Sequence, residues 1–202
     1  MNILHIDSSP RGDRSVSRAL AAELMAQIRR SCPERQVVYR DLGQDPVPHV
    51  DRAWLEGSHC RPAERSPAAR RAMAISDRLV DEVLAADLIV ISAPMYNFTV
   101  PSTLKAWIDQ IVRPGRTFGR DLQGLAGGRR VVVVTARGAD YAAGTDRMGR
   151  DFQEPLLRAV FAFIGIDDVL FIHAQGIAAG GDVRRRALDA ARARIADFVA
   201  TI

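Results

Sequence analysis

A serine-rich stretch near the amino terminus has the composition of a phosphate-binding loop. It spans residues 8–17, between an apolar run and an amphipathic pattern, so it joins a predicted strand to a predicted helix. A helix start presents unpaired N–H groups and a positive dipole end, and Ser9, Ser15 and Ser17 add hydroxyls. The stretch lacks both the triphosphatase pattern GxxxxGK[ST] and the dinucleotide pattern GxGxxG. Alone, it predicts either a monophosphate site or serines that only cap a helix.

A second stretch, residues 93–98, suits a flat aromatic ligand. It follows a run of branched apolar residues, as expected for a loop at the end of a buried parallel strand. Met95, Tyr96 and Phe98 supply apolar and π surface, and Asn97 with its neighbouring backbone can meet polar atoms at the edge of a ring. The alternative is that the two aromatic side chains belong to the core.

A third loop follows the valine-rich run at 130–135. Arg137, Gly138 and Ala139 can bring backbone N–H groups and a cation near the other edge of the same ring. Positive groups there stabilise the negative charge that reduction places on a flavin ring. The three loops together therefore predict one bound flavin.

The rest of the sequence predicts the strands and helices that position these loops. Apolar runs predict strands at 2–7, 36–41, 88–92, 130–135 and 169–173, and amphipathic periodicity predicts helices at 15–33, 67–86, 101–112, 148–164 and from 182 to the end. Residues 43–65 are predicted to be irregular. This alternation predicts an α/β domain over residues 1–202, a doubly wound five-stranded parallel sheet of order 2-1-3-4-5 with helices on both faces. In that order the loops after the first and third strands flank one crevice.

Composition excludes several other classes of protein. Basic and acidic residues number 28 and 24 and are interleaved, unlike a nucleic-acid-binding stripe. No apolar run reaches the roughly 18 residues of a membrane helix, and the amino terminus has no signal-peptide pattern, so we expect a cytoplasmic protein without membrane or nucleic-acid partners. Cys32 and Cys60 lack CxxC spacing and are expected to be free thiols, and the scattered histidines predict no metal site.

One stretch departs from the even charge pattern. Residues 113–130 hold five arginines and a single acidic residue, Asp121. Either these arginines form a solvated loop, or they attract an anionic dinucleotide to the mouth of the site.

Several segments resemble the FMN-dependent NADH-azoreductase and quinone oxidoreductase family. The resemblance rests on Ser9 with residues 15–17, residues 93–98 followed by Leu104 and Lys105, Thr117 with Phe118, and residues 135–138 and 163–166. It covers nearly the whole chain in order, and Met-Tyr-Asn-Phe at 95–98 is its most specific motif. It implies a flavodoxin-like fold, a homodimer with active sites at the interface, and two-electron reduction of quinones or azo compounds by NADH or NADPH through FMN.

The resemblance also implies roles for individual residues. The FMN-binding set would be Ser9, Ser15, Val16, Ser17, Met95, Tyr96, Asn97, Phe98, Ala136, Arg137, Gly138 and Ala139. The Asn97 backbone N–H would lie nearest flavin N5, which takes a hydride from the nicotinamide and passes it to an acceptor bound in the same place, a ping-pong scheme. Ala136 and Ala139 depart from the family's usual Ser-Arg-Gly-Gly.

On the substrate side, the residues expected are Phe118, Phe163 and Arg120. Arg120 stands where the family has an aromatic lid residue, and we hypothesise that it holds the phosphates of NADH or NADPH.

Two other functions remain open at this point. A flavodoxin-like electron carrier would need a stabilised semiquinone, and the basic charge balance disfavours the acidic surface that such carriers tend to have. A hydrolase of the acyl-carrier-protein phosphodiesterase type would need a metal or nucleophile constellation that the sequence does not show.

Overall fold

The computed structural model describes residues 1–31 and 33–202, and Cys32 lies outside them. Within these residues the chain forms one parallel sheet in the order β2-β1-β3-β4-β5, which confirms the predicted topology. The strands are β1 (Ile3–Asp7), β2 (Val37–Asp41), β3 (Leu88–Pro94), β4 (Arg130–Ala136) and β5 (Asp168–Ala174). The helices are α1 (Val16–Ser31), α2 (Arg52–His59), α3 (Pro67–Ala85), α4 (Ser102–Ile111), α5 (Gln153–Phe163) and α6 (Gly181–Val199).

The sheet is covered by helices on both faces, because alternate residues of each strand point to opposite sides. Ile89 and Ile91 of β3 pack with α3, α4 and α5 on one face. Leu88 and Val90 of the same strand pack with α1 and α6 on the other. Since both faces are buried, the strands read as continuous apolar runs rather than as alternating ones.

The helix that follows the first strand, α1, is explained by the period of its sequence. Leu20, Leu24 and Ile28 recur every fourth residue and are fully buried against the sheet. Burying each such side chain stabilises the fold by about 1.5–3 kcal/mol, so this stripe holds α1 against the sheet. Because α1 follows β1 directly, its amino end lies at the carboxyl ends of the strands.

The expectation that residues 43–65 are irregular is wrong. They contain α2, and a short 3₁₀ turn follows at Pro62–Glu64. The Asp51 carboxylate caps α2 by accepting a hydrogen bond from Trp54 N at 2.8 Å. Gly57 lets α2 approach α3 closely, because a Cβ there would lie 2.7 Å from Met73 Cγ. Tertiary packing therefore stabilises a helix that has no clear local period.

The predicted helix from 148 to 164 begins later than expected. A separate 3₁₀ turn covers Met148–Arg150, and α5 starts at Gln153. The Asp151 carboxylate accepts hydrogen bonds from the backbone N–H groups of Gln153 and Glu154, at 3.0 and 3.2 Å. This cap sets the start of α5, because it satisfies N–H groups that the first turn of a helix leaves unpaired.

The arginines of 113–130 do not form a solvated loop as a group. The Arg113 side chain is buried and lies 3.2 Å from Asp77, and Arg116 pairs with Asp77 and Asp81. The Arg129 guanidinium donates to the carbonyl of Val83 and Arg130 pairs with Asp168. Arg120 is exposed. These pairs hold the segment against α3 and β5, so most of its charge is used within the fold.

Over residues 1–31 and 33–202, no group of three or more metal-ligating side chains is placed to hold a metal ion. None of the helices in this part of the chain is both long and apolar enough to span a bilayer. Cys60 is a free, half-buried thiol.

Candidate functional site

A cleft of about 290 Å³ lies at the carboxyl ends of β1, β3 and β4. Its lining comes from all three predicted loops and from the segment after β5: Ser9, Arg11, Ser15, Val16, Pro94, Met95, Tyr96, Ala136, Arg137, Gly138, Ile177, Ala178 and Arg184. The three loops thus meet at one edge of the sheet, as the parallel topology requires.

The first loop brings serine hydroxyls to the start of α1. Ser9 Oγ lies 3.3 Å from the Tyr96 hydroxyl, and the backbone N–H of Arg11 donates to Ser9 Oγ at 3.3 Å. Ser15 directly precedes α1, and its Oγ lies 3.2 Å from that of Ser17. Ser17 is fully buried and does not line the cleft, so it supports Ser15 from behind.

The second loop forms a tight turn beyond β3. Tyr96 and Thr99 exchange backbone hydrogen bonds at 3.0 and 3.1 Å, and the two residues between them have positive φ, +47° for Asn97 and +71° for Phe98. Two consecutive left-handed residues are typical of a type I′ turn, in which asparagine is common and phenylalanine is not. Both residues are exposed at the tip of the turn and do not line the cleft.

The third loop is anchored by the side chain of Arg137. Its guanidinium is 1% exposed, lies 2.8 Å from the Asp151 carboxylate and donates to Gln153 Oε1 at 3.2 Å. Gln153 in turn donates to the carbonyls of Ala93 and Pro94, at 3.1 Å each. Burial lowers the pKa of Arg137, and the charge of Asp151 opposes that shift. The cation that the sequence pattern predicts in this loop is therefore paired with the carboxylate that precedes α5.

Ala136 and Gly138 line the cleft beside Arg137, whereas Ala139 does not. The Ala139 carbonyl accepts a hydrogen bond from Gly176 N at 3.0 Å and so ties the third loop to the segment after β5.

The segment after β5 forms a wall of the cleft that no sequence motif indicates. Ile177, Ala178 and Arg184 line the cleft. Arg184 is the first of three consecutive arginines near the start of α6, and it is exposed. It reaches the cleft because α1 and α6 pack on the same face of the sheet, which places their amino ends side by side. No local sequence pattern predicts that Ser15 and Arg184, about 170 positions apart, line the same cleft.

The three residues expected on the substrate side lie outside the cleft lining. Phe118 and Phe163 contact each other, with ring centroids 4.8 Å apart, and Phe163 is 37% exposed. Arg120 lies in the neighbouring turn. The structure therefore groups the two aromatic residues but does not bring them to this chain's own cleft.

Two titratable groups with shifted pKa lie at the carboxyl ends of the strands, the buried Asp7 and the half-buried His173. Burial raises the pKa of the Asp7 carboxyl, but hydrogen bonds with His5, Ser92 and Tyr39 outweigh burial and lower the pKa below its usual value. Burial, followed by the charge of Arg137, lowers the pKa of His173. At neutral pH the edge of the sheet below the loops thus holds an ionised aspartate and a neutral histidine.

Comparison with known proteins agrees with this fold. The family model described as a flavodoxin-like fold matches residues 1–199. An azoreductase from Bacillus anthracis superposes with a TM-score of 0.92 at 22% identity, covering 100% of both chains. An FMN-dependent NADH-azoreductase from the same species, solved in complex with FMN, has a TM-score of 0.87 at 24% identity, covering 98% of this chain and 100% of the other. These structures share the fold.

Relatives of known name are more similar in sequence. The FMN-dependent NADH:quinone oxidoreductase of Nostoc punctiforme is 50% identical over 203 residues, covering 99% of this chain and 98% of that protein. The corresponding protein of Ralstonia nicotianae is 46% identical, covering 98% of this chain and 97% of that one. Similarity at this level over the full length places the chain in the FMN-dependent NADH:quinone oxidoreductase family, within the flavodoxin-like fold.

Proposed function

We infer that this protein is an FMN-dependent oxidoreductase that uses NADH or NADPH to reduce quinones and azo compounds. The observation that carries this inference is the convergence of a serine-lined helix start and two backbone-rich loops on one cleft. The similarity to named quinone oxidoreductases over the whole chain supports it independently.

The residues present fit FMN at both of its ends. Ser9 and Ser15, beside the first turn of α1, provide the hydroxyls and free N–H groups that suit a phosphate dianion. One buried polar atom, Arg137 Nη2, has no hydrogen-bond partner within the described residues, and its loop lines the cleft. A buried donor of this kind is costly to leave unpaired, and a carbonyl-rich ring would satisfy it. FMN, when bound, supplies two-electron redox chemistry that no side chain offers.

The roles proposed for the chain's own groups are to bind and orient the cofactor and to shield it from water. We propose that Val16, Met95 and Tyr96 pack against the cofactor, and that Ala136 and Gly138 offer backbone groups to it. Asn97 is the proposed donor of a backbone N–H near flavin N5, and Phe98 is proposed to line the ring. The rigid turn at 96–99 holds that N–H in place, which is why two strained residues are tolerated there.

We further propose that the protein acts as a homodimer with the active site at the interface. Phe152 is 59% exposed and Phe163 37%, and both lie with exposed Ala159 along one side of α5. The backbone N–H of Phe152 donates to the carbonyl of Phe98 at 3.0 Å, so this apolar side of α5 adjoins the tip of the second loop. An exposed apolar surface beside a small open cleft suits a second copy that completes the site.

On this view Phe118, Phe163 and Arg120 contribute to substrate binding in the dimer rather than in the isolated chain. We also propose a cytoplasmic location, where pools of reduced nicotinamide cofactors are maintained.

The absorbance spectrum of the purified protein tests the cofactor proposal. We expect flavin bands in the visible blue and release of FMN on heating. A colourless protein that does not take up added FMN would contradict the proposal. For the catalytic scheme, steady-state double-reciprocal plots with NADH and a quinone should be parallel, and intersecting lines would rule out a shared site for the two substrates.

A further inference from the structure

The backbone of Ser9 is held by a charged side chain that does not line the cleft. Arg18, in the first turn of α1, donates its Nε–H to the Ser9 carbonyl oxygen at 3.0 Å. Its guanidinium also pairs with the carboxylate of Asp41 and lies 3.5 Å from that of Asp7. The Arg18 side chain is only 12% exposed. One arginine thus joins the first loop to the ends of β1 and β2.

The network keeps Arg18 charged. Burial lowers its pKa, but the hydrogen bond with Asp41 and the charge of Asp7 outweigh burial and raise the pKa above its ordinary value. Asp41 Oδ1 also accepts hydrogen bonds from the backbone N–H groups of Gly43 and Gln44, at 3.0 and 3.2 Å. The turn after β2 is therefore fixed by the same carboxylate that orients Arg18.

The backbone of Gly43 packs directly against the carbonyl group of Ser9. A Cβ at position 43 would lie 2.3 Å from the Ser9 carbonyl oxygen and 3.0 Å from Arg18 Nη2. The Ser9 carbonyl is consequently enclosed by Arg18 and by the Gly43 backbone. Ser9 itself lines the cleft, with its Oγ near the Tyr96 hydroxyl.

We propose that Arg18 is a positioning residue for phosphate recognition. By fixing the Ser9 carbonyl, Arg18 sets the backbone geometry that aims Ser9 Oγ and the following N–H groups at a phosphate, and Asp41 with Gly43 forms the rigid support. This inference rests on the proposed FMN function and adds to it residues that never touch the cofactor. Loss of the Arg18 contact should therefore weaken binding of the FMN phosphate and leave the contacts of the flavin ring unchanged.

The conservative variant Arg18→Lys separates this role from general stability. A lysine keeps one positive charge between Asp7 and Asp41, but its ammonium lacks the planar fork that bonds Ser9 and Asp41 together. Flavin fluorescence titrations of protein freed of flavin should show a dissociation constant for FMN raised about tenfold, the effect of ~1.4 kcal/mol. The dissociation constant for riboflavin, which lacks the phosphate, should not change. Arg29→Lys, at an exposed position on the same helix, should change neither value.

An unchanged FMN affinity in Arg18→Lys would overturn the proposal, and so would equal weakening of FMN and riboflavin, because that pattern indicates general loosening of the fold. If Arg18→Lys does not fold, Gly43→Ala tests the same contact from the other side, with the same expected selectivity and the same overturning results. Combining Arg18→Lys with Ser9→Ala should weaken FMN binding by less than the product of the two single effects, because the Ser9 hydroxyl is part of what Arg18 positions. Failure of the unaltered protein to bind FMN would contradict the proposed function instead.

Discussion

Two concave regions at opposite ends of the sheet differ in size and in chemistry. The larger, a groove of about 490 Å³ at the amino ends of the strands, has mostly apolar walls, including Ile3, Val38 and Ala74. The smaller, the cleft of about 290 Å³ at the carboxyl ends, is lined by hydroxyl, guanidinium and backbone groups. Volume alone would select the groove, whereas the residues that can recognise a charged cofactor lie in the cleft.

The charged groups of the two regions explain the difference. In the groove all three carboxylates are paired, Glu82 with Arg40 and Asp77 and Asp81 with Arg116, and among the described residues only Arg78 of its charged lining lacks an ion pair. In the cleft, neither Arg11 nor Arg184 forms an ion pair with any residue in the described ranges. A concave surface becomes a recognition site when its polar groups are held in place but left without internal partners.

The largest expected effect comes from filling each region with the same side chain. Ala178→Leu adds bulk to the cleft wall, and Ala74→Leu adds it to the groove. We expect Ala178→Leu to raise the dissociation constant for FMN about 5- to 150-fold, since a misfitted side chain costs on the order of 1–3 kcal/mol. Ala74→Leu should leave it unchanged. Flavin fluorescence titration measures the dissociation constants of both variants. An effect of Ala74→Leu as large as that of Ala178→Leu would contradict the assignment of FMN to the cleft.

A smaller effect is expected from the cation contributed by α6. Arg184→Gln removes a positive charge from the cleft rim, and FMN affinity should fall about two- to fivefold, as for an exposed charge pair of ~0.4–1 kcal/mol. The loss should shrink at about 1 M salt, where the screening length is only ~3 Å. Arg186→Gln is the matched control on an exposed position of the same helix. Equal loss of FMN affinity in the two variants would show that the net charge of the protein, and not the position of Arg184 at the cleft, causes the loss.

The smallest effect concerns the pH dependence of stability at the cleft end. Burial and the charge of Arg137 lower the pKa of His173 in the folded state, against the favourable contacts of Glu154 and Asp151. Since the folded value lies below the ordinary one, the stabilisation is complete above about pH 6.5 and is lost as pH falls through the folded value. We therefore expect Tm to fall between pH 7.5 and 5.5, because the unfolded chain takes up a proton at this histidine more readily than the folded one.

Replacing that imidazole identifies its share of the pH dependence. His173→Gln should flatten the dependence of Tm on pH. His49→Gln, at an exposed position between β2 and α2, should not. Differential scanning calorimetry provides the measurement. An identical slope in His173→Gln would assign the pH dependence to other groups.

The order of strands and helices and the edge at which the loops meet were determined by the sequence itself. Branched apolar runs and the four-residue spacing in α1 are local consequences of burial in a layered fold, so periodicity reveals them. Ser9 and the aromatic stretch at 95–98 could be recognised because each follows a strand, and Ser15 because it directly precedes the periodic pattern of α1.

Tertiary structure alone decided which charged side chains face the cleft and which support it from within. Arg137 is neutralised by Asp151, while Arg184 reaches the rim and Arg18 holds Ser9 from behind. The short helix α2 likewise depends on close packing against α3, which Gly57 permits. In each case the deciding contact joins segments of different elements, and its energy comes from packing and charge pairing across the fold, which leave no period in the chain.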